Sequence, residues 1–226
     1  MKIYKLLLYM LVNLMLITSL SGCKAKTSVL FQDTTCKYPC WQSIRPGSSS
    51  SQEAIQFLSE SPFVDSPPTI VPQNIVGAYS YTGLKFKTGY FEDGGWIAFY
   101  NDKVVYIEFD INNHIKISDL IAYYGKPKFS SIISGEADTR WLQVSWIYPD
   151  QGVILIHYEP SWKSNGGQVN VTPDLPVYEV YYFNPDSFDS LADSRIFQMV
   201  NKEIVLKSIQ PWVNFGPESY TDSEEP

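Results

Sequence analysis

Apolar residues are arranged along this chain in three ways: one long run, several aromatic and β-branched runs, and two stripes at helical spacing. The longest run is Leu6 to Leu20, interrupted mildly by Asn13 and preceded by Lys2 and Lys5. At helical rise it reaches about 22 Å, short of the roughly 30 Å hydrocarbon core of a bilayer. A positive start followed by so short an apolar stretch reads as a signal-peptide core rather than a span. The first helical stripe is Ala54, Ile55, Phe57 and Leu58, entered through Ser50-Ser51-Gln52-Glu53. Those four residues form a capping-box pattern, so a helix over about 51–60 is expected. The second is Asp119 to Tyr124, with Ser118 as the expected cap, Gly125 as the stop in a left-handed conformation, and Pro127 beyond it.

Between and after these stripes, aromatic and β-branched residues dominate, as strands favour. The runs are Ala78 to Lys87, Trp96 to Tyr100, Lys103 to Asp110, Trp141 to Tyr148, Val153 to Tyr158 and Pro176 to Phe183. Asn101-Asp102 and Pro149-Asp150-Gln151-Gly152 read as hairpin turns. Helical signals resume at about Ser187, and a segment ending at Trp212 precedes an acidic tail. The pattern predicts an α+β fold in which antiparallel hairpins carry short helices on one face. A single domain is expected over 36–216, with an acidic disordered tail over 217–226. A faint echo runs through it: Ile44-Arg45-Pro46-Gly47 leads into one helix and hairpins, and Ile115 to Ser118 into another. Two helix-plus-meander half-repeats, about 36–112 and 113–216, would explain this, as would two unrelated helices in one domain.

The residues after the apolar run settle the expected address. Leu20-Ser21-Gly22-Cys23 resembles the lipobox of bacterial lipoproteins, which implies that a diacylglyceryl group is added to the Cys23 thiol and that Met1 to Gly22 are then removed. Removing 22 residues and two lysines from a chain of 226 with 17 basic and 24 acidic groups leaves 204 residues with 15 and 24, net −9. Anionic headgroups would repel such a domain, so lipid must do the anchoring. The expected protein is tied to the outer side of a cell membrane by a leash, residues 23–35, its first partner being the bilayer.

Composition narrows the chemistry mainly by exclusion. With 44% hydrophobic and 18% charged residues the chain can bury a core, and the acidic balance argues against nucleic acid, which needs a basic stripe. Cys36 and Cys40 are close enough in sequence to pair across a turn in an oxidising compartment. They could instead bind metal, but no histidine or further cysteine lies near to complete a ligand set. His157 alternates within an apolar strand, and His114 sits in a turn-like stretch. Asp186, Asp189 and Asp193 share a spacing that would align them on a helix, where they could hold calcium or simply favour a helix start. No phosphate loop, nucleophile elbow or metalloprotease signature is present, and no cofactor or resident metal is expected. The surplus is aromatic: six tryptophans and 16 tyrosines. Trp162, in the polar loop Pro160 to Gly167, and Trp41 are the candidate contact residues.

Three stretches carry a wider resemblance: Pro39-Cys40-Trp41-Gln42-Ser43-Ile44-Arg45-Pro46-Gly47, Leu120 to Pro127, and Pro211-Trp212-Val213-Asn214-Phe215-Gly216. Together they resemble an uncharacterised family of bacterial lipoproteins with a P-C-W-x-x-I-x-P-G opening and a W-x-x-[FY]-G close. No activity comes with that resemblance. The Pro-Gly-helix-Gly-x-Pro order before strands is also similar to small envelope lipoproteins of outer-membrane assembly and to β-lactamase-inhibitor-like domains, a likeness of architecture only. The expectation is a non-catalytic binding module for an envelope protein or polymer. The alternatives are a carbohydrate-binding lipoprotein using exposed aromatics and an extracytoplasmic hydrolase built on His157 or His114.

Overall fold

The computed structural model describes residue 30 and residues 36–73, 81–88, 92–111, 115–136, 140–160, 168–188 and 202–222. Cys23, His114, Trp162, Asp189 and Asp193 lie outside these residues. Among the described residues there are twelve strands and three α-helices: β1 (Thr69–Gln73), β2 (Tyr81–Phe86), β3 (Glu92–Tyr100), β4 (Lys103–Ile111), β5 (Phe129–Glu136), β6 (Arg140–Tyr148), β7 (Val153–Pro160), β8 (Gln168–Val171), β9 (Glu179–Phe183), β10 (Ile209–Pro211), β11 (Gly216–Ser219) and β12 (Thr221–Asp222), with α1 (Ser51–Glu60), α2 (Ile117–Tyr124) and α3 (Lys202–Ser208). The class is α+β, mostly antiparallel sheet with three short helices. Ten strands form one sheet in the order β1-β2-β3-β4-β9-β7-β6-β5-β10, with β12 running parallel beside β5, and β8 pairs with β11 in a separate ribbon.

The two hairpins anticipated from the strand runs form for the reasons their turns suggest. Asn101 and Asp102 both adopt positive φ, 49° and 61°, the backbone of a tight reversal whose twist suits the flanking strands β3 and β4. Gly152 closes the β6–β7 turn at φ 66°, and a Cβ there would stand 2.2 Å from the Phe183 carbonyl oxygen. Only glycine fits that close approach. Alternation then sorts the central strands into two faces. Ile107, Phe109, Leu155, Val144, Trp146 and Val180 face one core, with Ala54 and Leu58 of α1 and Ile117, Leu120 and Tyr124 of α2. Tyr106, Ile154, Ile156, Ile147, Tyr181 and Phe183 face the other, joined by Val205 of α3.

Four expectations are corrected here. The helices do not share a face, because α3 brings Val205 to the second core while α1 and α2 pack on the first. The closing residues are not a free tail up to 222: β11 pairs with Val171 to Gln168, and Thr221–Asp222 lie along Ile133–Ser134, so backbone pairing recruits an acidic segment that side-chain composition alone marks as solvated. Helix α2 starts two residues earlier than Ser118 would allow; Lys116 is the cap, and its N–H donates to the Asp119 carboxylate at 3.3 Å. At its other end Gly125 has φ 86° with ψ −170°, a positive φ outside the left-handed helical well. The capping box of α1 forms as read, with Ser50 N–H donating to Glu53 at 2.7 Å and Glu53 N–H to the Ser50 hydroxyl at 3.3 Å.

The opening nonapeptide is a packing device. Cys36 and Cys40 are joined, their Cα atoms 5.7 Å apart. Trp41 and Ile44 exchange backbone hydrogen bonds of 3.0 and 2.8 Å across Gln42 and Ser43, which both take positive φ. This tight reversal drives both apolar side chains into the first core, where neither is exposed. The Trp41 ring stacks on Phe86 with centroids 5.2 Å apart and meets Phe109 edge-on at 5.0 Å. Trp41 is therefore removed from the candidate contact residues: an indole that offers no surface cannot meet a partner.

Candidate functional site

Three strand ends converge where β6 begins, β7 ends and the chain approaches β9. There Trp141, Tyr158, Glu159, Pro160 and Tyr178 line an open pocket of about 290 Å³. Register explains the convergence, since Trp141 stands opposite Pro160 across the β6–β7 ladder and Ile156 opposite Glu179 across β7–β9. The walls are three aromatic rings and a proline, and the one charged side chain, Glu159, is 53% exposed.

Behind the pocket lies His157, the histidine that the sequence placed on a strand. It is 3% exposed and its ring lies 5.5 Å from that of Tyr178, centroid to centroid. Nδ1 is 2.7 Å from the Pro176 carbonyl oxygen. A carbonyl can only accept, so Nδ1 carries the proton and Nε2 is left toward Glu159, 3.7 Å away. That separation is an ion-pair distance once the ring is charged and too long for a hydrogen bond. Burial, the largest influence, holds the imidazole below its ordinary 6.5, against the raising effects of Pro176 and Glu159. The ring is thus neutral at pH 7, with Nδ1 held by the Pro176 carbonyl and Nε2 toward Glu159, itself a wall of the pocket.

This shift has a consequence for stability. Below pH 6.5 the unfolded chain takes up a proton on His157 that the folded chain still refuses, so folding loses ground as pH falls from 6.5 toward the lowered folded value. Urea unfolding at pH 7.5 and at pH 5.5 should show a lower midpoint at the acid value. The part of that loss due to His157 should vanish in His157→Gln. An unchanged pH dependence in that variant would place its origin in other groups.

On the second face of the sheet, adjoining the pocket through Tyr158, is a carboxylate group the sequence reading missed. Glu108 and Asp110 of β4 and Glu179 of β9 bring ligand oxygens within 4.8 Å of one another, and Glu108 is 6% exposed. The Glu179 carboxylate accepts from Tyr181 at 2.8 Å and from Tyr158 at 3.3 Å. Burial and then the Glu108 and Glu179 charges push the Tyr181 hydroxyl well above its ordinary value, so it remains a donor. The signal was present in Glu108-Phe109-Asp110, two carboxylates at same-face spacing in an otherwise apolar strand. What a single strand could not show is that Glu179 stands directly across from Asp110. Oxygen donors so placed are suited to a hard cation or to a basic side chain.

A second concavity, of about 350 Å³, is built by the chain's closing residues, Gln210 to Ser219, around Val213 and Phe215. The closing Trp212 meets Phe215 edge-on at 5.7 Å, so this part of the resemblance is also a packing element. Among the candidate calcium residues, Asp186 lies exposed in a single 3-10 turn, Pro185–Ser187. Among the described residues no helix is long and apolar enough to cross a membrane. Comparison with known proteins returns no matching family model, no matching curated protein and no matching solved structure.

Proposed function

We propose that this chain is a membrane-tethered, extracytoplasmic lipoprotein whose domain binds a ligand in the pocket of Trp141, Tyr158 and Tyr178 and performs no chemistry on it. The observation that carries this reading is the pocket itself: rings on strand ends, one carboxylate, and a histidine buried behind them. Rings held by a sheet bind at little entropic cost, because the side chains are ordered before the ligand arrives. The tether rests on the ordered Lys2, Lys5, apolar run and Leu20-Ser21-Gly22-Cys23. Acylated there, a flexible leash over 23–35 would have a root-mean-square reach of about 20 Å, confining the domain to components near the bilayer. The family likeness in the opening nonapeptide and the closing Trp212 to Gly216 agrees with an envelope lipoprotein. A helix followed by antiparallel hairpins occurs after Ser50 and again after Lys116, and we read this as a duplicated unit.

A hydrolytic reading would use His157 as base with Glu159 as its partner. Their 3.7 Å separation and the 3% exposure of the histidine weigh against it, since a base must reach its proton directly or through one water. The two readings separate in a complemented deletion strain, scored by any phenotype of the deletion, including growth under envelope stress. Trp141→Ala should fail to restore function, and His157→Gln should restore it, both proteins being folded and anchored. The reverse pattern would establish the hydrolase.

A further inference from the structure

Resting on the reading of this pocket as a binding site, we infer that its ligand is a small organic cation, an alkylammonium or trimethylammonium group seated among Trp141, Tyr158 and Tyr178 with Glu159 as counter-charge. Aromatic faces carry negative quadrupole charge, and tryptophan attracts a cation most strongly. The lining holds three such rings and one carboxylate, with Pro160 as the remaining named wall. The Tyr158 hydroxyl donates toward the Glu179 carboxylate at 3.3 Å, which draws positive charge to the hydrogen and leaves the ring richer in electrons. His157 does not cancel Glu159, because burial keeps the imidazole neutral beside it.

Other ligand classes fit less well. An anion would meet Glu159, with no basic side chain among the described pocket-lining residues. A sugar would stack on the rings but would bury hydroxyls against walls that hold one charged side chain, and each unmatched hydroxyl costs binding. A bare metal ion needs six or more oxygens, and this pocket offers one carboxylate. A compact cation wrapped in methyl or methylene groups needs what is present: apolar contact all round and one charge. About 290 Å³ accommodates such a group and not an oligosaccharide.

The test is calorimetric titration of the full acylated protein in a non-ionic detergent with choline chloride, with its neutral isostere 3,3-dimethylbutan-1-ol, and with sodium chloride at equal ionic strength. Choline should bind saturably and about tenfold or more tighter than the isostere, the ratio a desolvated cation–ring contact supplies. Trp141→Ala should weaken choline binding at least about tenfold. Glu159→Gln should weaken choline severalfold while leaving the isostere unchanged, which a mere loss of fold would not do. Glycerophosphocholine then identifies the source: binding equal to that of choline supports a lipid headgroup, and binding of choline alone supports a free solute. Equal affinity for choline and the isostere, or no binding of choline, overturns the inference. If choline fails while Trp141→Ala still loses function in the deletion strain, the binding-module reading stands without the cation. If Trp141→Ala restores function, the pocket reading itself fails.

Discussion

Replacing Trp41 by alanine is expected to lower the melting midpoint of the domain by roughly 6–20 °C. The indole is fully buried, stacked on Phe86 and edge-on to Phe109, at the point where the disulfide-closed opening enters the first core. Truncating a buried tryptophan removes its transfer energy and leaves a cavity, together about 3–5 kcal/mol. For a domain of this size each kcal/mol moves the midpoint by about 2–4 °C. Total stability is only about 5–15 kcal/mol, so the variant is expected to accumulate poorly at growth temperature. Trp41→Phe should recover most of the loss, because the indole N–H has no hydrogen-bond partner to forfeit and the ring contacts largely remain. Thermal unfolding followed by circular dichroism reads both variants. A shift of less than about 2 °C for the alanine variant would mean that this motif does not stabilise the domain.

Replacing Cys23 by serine is expected to abolish acylation altogether and to leave Met1 to Gly22 attached. A hydroxyl at position 23 has neither the acidity nor the nucleophilicity of a thiol, so diacylglyceryl transfer has no acceptor. Each buried methylene of an acyl chain contributes about 0.8 kcal/mol, and two chains hold a protein that one holds only marginally. Metabolic labelling with a fatty-acid analogue should mark the wild type alone, and intact mass should show the uncleaved precursor in the variant. Label on Cys23→Ser would place the anchor elsewhere. Because a leash over 23–35 would hold the domain near its ligand by effective concentration, loss of the anchor should also abolish function in a deletion strain. Its effect should match or exceed that of Trp141→Ala, which removes one wall of the pocket.

Much of the architecture could be read along the chain, because its causes are local. The capping box at Ser50 and Glu53 and the positive-φ pair Asn101-Asp102 each enforce their conformation through near neighbours. Alternation in β4, β6 and β7 likewise follows from the two-residue period of a strand. The Cys36–Cys40 link required only a short turn. None of these depends on what lies across the sheet.

The candidate site was different in kind. Its residues come from the start of β6, the end of β7 and the approach to β9, and only the pairing of Trp141 with Pro160 and of Ile156 with Glu179 brings them together. Exposure was equally beyond a local reading: Trp41 and Trp141 look alike as aromatic residues beside polar ones, yet one fills a core and the other walls a pocket. The closing segment shows the same limit, since its acidic side chains speak of solvent while its backbone finds partners in β8 and β5. The sequence by itself determined the hairpins, the caps and the short turn between the cysteines, because those rest on contacts a few residues apart. Tertiary structure alone decided which rings face water and which carboxylates meet, because burial and charge proximity are set by strands distant in sequence.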